Sequence, residues 1–146
     1  PALILKARRA YYERMEEAFL QKESLISDYP FSVKQKSSIE KLAQKYEYQI
    51  CTIRLVGKID ILFERQKQRD LNDSRHWGHI LTSYHKSDIK IDRKMADNLL
   101  DYKEFYKRCT QRGYGEFTLG DTIEVDVSDY DKINYPEILQ WLENKI

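Results

Sequence analysis

Cysteine is nearly absent from the chain. Cys51 and Cys109 both fall in apolar patterns, where a free thiol packs as a small hydrophobe, and they read as reduced packing residues rather than a disulfide. Neither stands at metal-ligand spacing from a histidine, so no zinc-type site is expected. No apolar run approaches the length of a membrane span, and the first nineteen residues carry too many charges for a signal peptide. A cytoplasmic location follows by default, with no membrane partner. An excess of one charge is also missing. The formal net charge is +1, with basic and acidic residues interspersed, which argues against a broad nucleic-acid face. Internal repeats and low-complexity stretches are absent too.

What remains is a globular composition. With 41% hydrophobic and 34% charged residues over 146 positions, the chain reads as one domain, residues 1–146, large enough for a core. Ala7, Tyr11, Met15, Ala18 and Phe19 recur at helical spacing and predict a helix over 4–22. Residues 24–27 suggest a short strand ended by Asp28 and Pro30. Ser32 with Gln35 forms a capping box, before a helix whose apolar face is Ile39, Leu42, Ala43 and Tyr46. Residues 48–56 are largely β-branched and almost continuously apolar, the pattern of a strand buried on both faces in a parallel sheet. Gly57 turns the chain into a helix over 59–71, broken at 72–74, and 84–93 is a polar connection. Met95, Leu99, Tyr102, Tyr106 and Cys109 mark a further helix, ended near Gly113, and 122–127 alternates as a strand. Asn134 with Glu137 opens a last helix along Tyr135, Ile138, Leu139, Leu142 and Ile146. Such alternation is an α/β pattern with a parallel sheet, in which ligands bind beyond the carboxyl ends of the strands. Asp28, Gly57, Ser128 and Asp129 fall at those ends.

The run DILFERQKQRDLNDSRHWGH at 60–79 is the chemically richest segment. It places Arg65 and Arg69 four residues apart on the predicted helix, and Arg75 follows in a polar loop. Guanidinium forks suit a polyanion, and a helix leading into such a loop can carry cations onto a transferring phosphoryl group. The plainer reading is a solvated face paired to Asp60, Glu64 and Asp70. His76 and His79 could ligate a metal by spacing, but two ligands do not make a site, and His85 stands alone. Asp28 could accept a proton or hold a Mg²⁺-bound water, or it is a turn residue before Pro30. The tyrosines at helical spacing, such as Tyr11, Tyr46, Tyr102 and Tyr106, fit core-edge packing.

The later part of a P-loop kinase, in the group containing zeta-toxin-like and adenylate-kinase-like small-molecule kinases, is similar to this chain over most of its length. Leu25-Ile26-Ser27-Asp28-Tyr29-Pro30-Phe31 resembles the third-strand motif of that group. The segment from Leu62 to Arg69 resembles its lid helix with R-x-x-x-R. Arg75-His76-Trp77-Gly78-His79 resembles the R-H-x-G-H of bacterial kinase-like ATPases, and the run from Gly120 to Ser128 resembles the last strand and the loop bordering the adenine. The resemblance implies a three-layer α/β sandwich with a short parallel sheet flanked by helices, and a lid at about 65–90. It implies ATP and Mg²⁺ as cofactors, and a nucleotide and a small-molecule acceptor as partners. By the same resemblance Asp28 would lie near Mg²⁺ and the acceptor hydroxyl. Arg69 would lie near the nucleotide with Arg65 beside or supporting it. Arg75 would close on the phosphates, and Val127 and Ser128 would flank the base.

One departure is large. The family holds phosphates with G-x-x-x-x-G-K-[ST], and none of Gly57, Gly78, Gly113, Gly115 and Gly120 stands in such a motif. The first strand, its loop and the helix after it are missing, which leaves an incomplete P-loop kinase fold with a gap in the sheet. The expectation is a piece of a longer kinase, inactive in this form. The alternative is a short natural protein, a non-enzymatic P-loop remnant, that closes the gap by direct strand pairing or as a homodimer.

Overall fold

The computed structural model describes residues 2–28, 31–83 and 91–145. Among these residues it is an α/β arrangement of five helices and a two-stranded parallel sheet. In chain order these are α1 (Ala2–Leu20), α2 (Val33–Lys45), β1 (Cys51–Val56), α3 (Ile59–Leu71), α4 (Tyr102–Gln111), β2 (Asp121–Asp126) and α5 (Tyr135–Glu143). Short 3₁₀ turns lie at Trp77–His79, Arg93–Met95 and Tyr130–Lys132. The chain divides into two compact units. One comprises Pro1–Arg54, Glu116–Ile123 and Tyr135–Ile146, the other Leu55–Gly115 and Glu124–Asn134.

The first unit is built on an aromatic core. Met15 and Phe19 of α1 and Ile39 and Ala43 of α2 cluster with Phe117 and Leu119. Phe19 stacks on Tyr48 at 4.0 Å between ring centroids, and Phe31 stacks on Phe117. The Ser32–Gln35 capping box forms as the sequence predicts, with Gln35 Oε1 accepting from the Ser32 amide at 3.0 Å. Burial on α1 is uneven. Residues 2–10 are exposed throughout, and only the half from Tyr11 to Phe19 reaches the core. Gly120 sets the start of β2. Its φ of +63° is a left-handed conformation, and it lies against Ile50, whose carbonyl accepts the Asp121 amide at 3.0 Å.

In the second unit the α3 and α4 helices meet through Phe63, whose ring is edge-on to Tyr102 and tilted against Phe105. Asp101 caps α4 by accepting the Glu104 amide at 2.7 Å. Ile80 is fully buried, and its carbonyl accepts the Asn98 amide.

Three expectations need correction. Residues 24–27 form no strand. They run as irregular chain with Ile26 97% exposed, because no described strand lies beside them to complete a ladder. The helix expected from Met95 starts only at Tyr102. Asp101 caps α4 at that point, and Met95 itself sits in a separate 3₁₀ turn capped by Asp92. Burial of β1 on both faces does not occur either. Ile53 is 39% and Leu55 66% exposed, since β1 pairs with β2 alone among the described residues. The parallel pairing itself, the helix at 59–71 and the helix opening after Asn134 form as expected.

Candidate functional site

The arginine segment lies wholly in the second unit. The β1 strand ends at Val56, and Gly57 lets the chain turn at once into α3. A Cβ at Gly57 would sit 3.2 Å from the Leu62 side chain, so the turn is tight. The Ser128 hydroxyl accepts the Lys58 amide at 2.8 Å, and the Val127 amide donates to the Val56 carbonyl at 2.7 Å. The ends of the two strands and the start of α3 are thus tied together.

Arg65 points into this junction. Its guanidinium donates through Nη1 to the Val127 carbonyl and through Nη2 to the Ser128 carbonyl at 2.9 Å. It also lies over the Tyr130 ring, 3.9 Å from the centroid. A planar fork matches two successive carbonyls as a lysine cannot. Arg65, Val127 and Ser128, which the sequence placed around a nucleotide, are therefore brought together, and they are bonded to one another. Beyond them Asp126 accepts the Ser128 amide, and hydrogen bonds from Ser128 hold its carboxyl below the usual range.

Arg69 and Arg75 belong to a second network. The exposed Arg69 donates to Gln66 Oε1, and Gln66 Nε2 donates to Asp70 Oδ2 at 2.6 Å. Asp70 is 3% exposed. Its other oxygen faces Arg75 Nε at 3.5 Å, an ion pair too long and poorly aimed to count as a hydrogen bond. Arg75 begins a turn fixed from both sides. Asn72 Oδ1 accepts the Ser74 amide and hydroxyl, ending α3, and His76 Nδ1 accepts the Gly78 amide at 3.1 Å. His76 is thereby the cap of a 3₁₀ turn, and its ring centroid lies 6.4 Å from that of His79.

Three participants went unnoticed in the sequence: Gln66, Asp70 as a buried partner, and Arg93. Arg93 ends the stretch read as a polar connection, yet its side chain is only 10% exposed. It donates to the Asp73 carbonyl at 2.9 Å and the Arg75 carbonyl at 2.6 Å, and stacks over Trp77 at 4.4 Å. Its Nε pairs with Asp73 at 3.4 Å. The i,i+4 spacing of Gln66 and Asp70 was readable, but nothing local in the sequence distinguishes Arg93 from a solvated cation.

Asp28 is exposed, in the first unit, and is not among the groups brought together here. His85, Tyr29 and Pro30 lie outside the described residues. Among the described residues no three His, Cys, Asp or Glu side chains are placed to hold a metal ion, and no helix is long and apolar enough to cross a membrane. Cys51 and Cys109 are free and half-buried, and burial pushes the Cys109 thiol up.

No family model, curated protein or solved structure matches the chain.

Proposed function

We propose that the chain is the lid-bearing part of an ATP-dependent phosphotransferase of the P-loop class, acting on a small molecule or nucleotide, and that it is catalytically silent by itself. The observation that carries this reading is one continuous stretch of chain: a parallel strand, a tight glycine turn, a helix bearing Arg65 and Arg69, and a hydrogen-bonded turn bearing Arg75. In this reading β1 and β2 belong to a three-layer sandwich, and a further apolar strand pairs with β1, covering Ile53 and Leu55. ATP and Mg²⁺ would be held chiefly by that added unit, with Arg69 the exposed cation nearest in kind to the role. Arg75 could join only by leaving Asp70. The test is the reading frame upstream of Pro1. A G-x-x-x-x-G-K-[ST] run behind an apolar strand supports the reading, and a frame without one overturns it. Turnover of ATP by the 146-residue chain alone, abolished by Arg69→Ala, would refute the claim of silence.

A second reading is favoured by a specific observation. Arg65 and Arg93 are committed to backbone carbonyls and Arg75 to Asp70, so few guanidinium donors are left for a phosphate. A non-enzymatic remnant that acts through protein contacts, as a homodimer, accounts for this without nucleotide. It predicts no heat on titration with ATP–Mg²⁺ and a light-scattering mass that rises with concentration.

A further inference from the structure

We propose that the groove along α3 is a binding site for a small amphiphilic anion, an apolar body carrying one carboxylate. The inference does not depend on the kinase reading. One wall is a single helical face, at i, i+3, i+4, i+7 and i+8 from Phe63 to Leu71, and the other is the segment 94–100. The groove is open to solvent on one side and has a volume of about 380 Å³, within the range of small-ligand sites. The lining is chiefly apolar, from the half-buried Phe63, Leu71, Leu99 and Leu100.

Charge chooses the occupant. Lys67 and Lys94 stand exposed at the rim from opposite walls, and neither has an ion-pair partner among the described residues. Asp70, the acid in the lining, is buried, bonded to Gln66 and paired with Arg75. The groove therefore offers an apolar floor, a compensated carboxylate and two uncompensated cations at its mouth. A neutral apolar ligand would leave both lysines unanswered, and a small polar anion would leave the floor uncovered. A second depression of about 300 Å³, lined also by Asp73, Trp77, Ile91, Asp92 and Arg93, shares Leu71 and Lys94 with the first.

The test is an NMR titration of the full chain with octanoate, octan-1-ol and acetate, following the leucine methyl groups. Octanoate is expected to shift Leu71, Leu99 and Leu100 saturably. The doubly substituted Lys67→Gln/Lys94→Gln chain should bind it roughly tenfold more weakly, as two partly screened charge contacts imply. Octan-1-ol should bind the parent chain with a similar deficit, and acetate should give no saturation at these methyls. Equal affinity for octanoate and octan-1-ol, an unchanged affinity in the double variant, or shifts confined to other exposed apolar residues would each overturn the proposal. Both lysines are exposed, so their replacement leaves the packed groups in place.

Discussion

Replacement of Arg93 by alanine should destabilise the second unit by about 3 kcal/mol. The side chain is 10% exposed; its Nη2 donates to the Asp73 and Arg75 carbonyls at 2.9 and 2.6 Å, and its Nη1 makes a longer bond to the Asp70 carbonyl at 3.5 Å. Bonds from a charged donor contribute roughly 1.5–3 kcal/mol each, and the carbonyl of the exposed Asp73 can regain water, so about 2 kcal/mol is assigned to the two together. Stacking over Trp77 at 4.4 Å adds roughly 0.5–1 kcal/mol. The ion pair with Asp73 adds nothing countable, because that carboxylate is fully exposed. Lysine at 93 should recover only part of this, since an ammonium can donate to both carbonyls but cannot lie flat on the Trp77 indole. The assay is hydrogen exchange read residue by residue. Amides at 75 and 78–80 should lose protection in Arg93→Ala, while amides in α1 and α2 keep theirs. Protection within about 0.5 kcal/mol of the parent at all of these amides would refute the account, as would equal stability of the lysine and alanine variants.

Gly120→Ala should cost more than 3 kcal/mol by urea denaturation, because the new Cβ would lie 2.0 Å from the Ile50 carbonyl oxygen at a φ of +63°. Gly115→Ala, which meets nothing within 4 Å, is the control and should change stability by less than about 1 kcal/mol. Arg65→Lys should lose roughly 2 kcal/mol by the same assay, since the two-carbonyl bridge to Val127 and Ser128 needs a planar fork. Glu16 has its carboxyl held below the usual range by hydrogen bonds from Lys45 and Tyr46. Its contribution is present above the unfolded carboxylate pKa and is lost as pH falls through the lower folded value, so Glu16→Gln should flatten the acid limb of a melting-temperature profile below about pH 4.5. Asp70→Asn should lower stability by about 1–2 kcal/mol in urea while keeping an acceptor for Gln66, and an unchanged midpoint would show that the Arg75 pair is unimportant.

The parts of the fold that could be read in advance are those fixed by neighbours in sequence. The helix at 59–71 follows from its glycine turn and its Asn72 terminus, and α2 from the Ser32–Gln35 box, all within a few residues. Residues 24–27 and β1 failed differently. Their apolar pattern was read correctly, but burial requires a neighbour, and no described strand covers Ile26 or Leu55. The arginines show a third limit. Spacing placed Arg65, Arg69 and Arg75 on one segment, and they do lie there. Their partners at Val127, Ser128, Asp70 and Gln66 include backbone carbonyls, which carry no sequence signal, and Arg93 reaches back about twenty residues to carbonyls as well.

Counting guanidinium groups is therefore a poor measure of phosphate capacity, and the Asp70–Arg75 pair shows why. Drawing Arg75 toward a phosphate would leave a carboxylate that is 3% exposed with Gln66 as its main partner. Stripping one member from a buried pair costs about 3–5 kcal/mol. Arg75 is 25% exposed and its contact is 3.5 Å long, so the cost here falls toward the lower end or below it. A charge-assisted bond to a phosphate returns roughly 1.5–3 kcal/mol. The two terms are nearly equal, so the side of the balance on which Arg75 rests is set by how firmly the turn around it is held. That firmness comes from Arg93, which donates to the Arg75 carbonyl, together with the Asn72 and His76 side chains that accept the Ser74 and Gly78 amides.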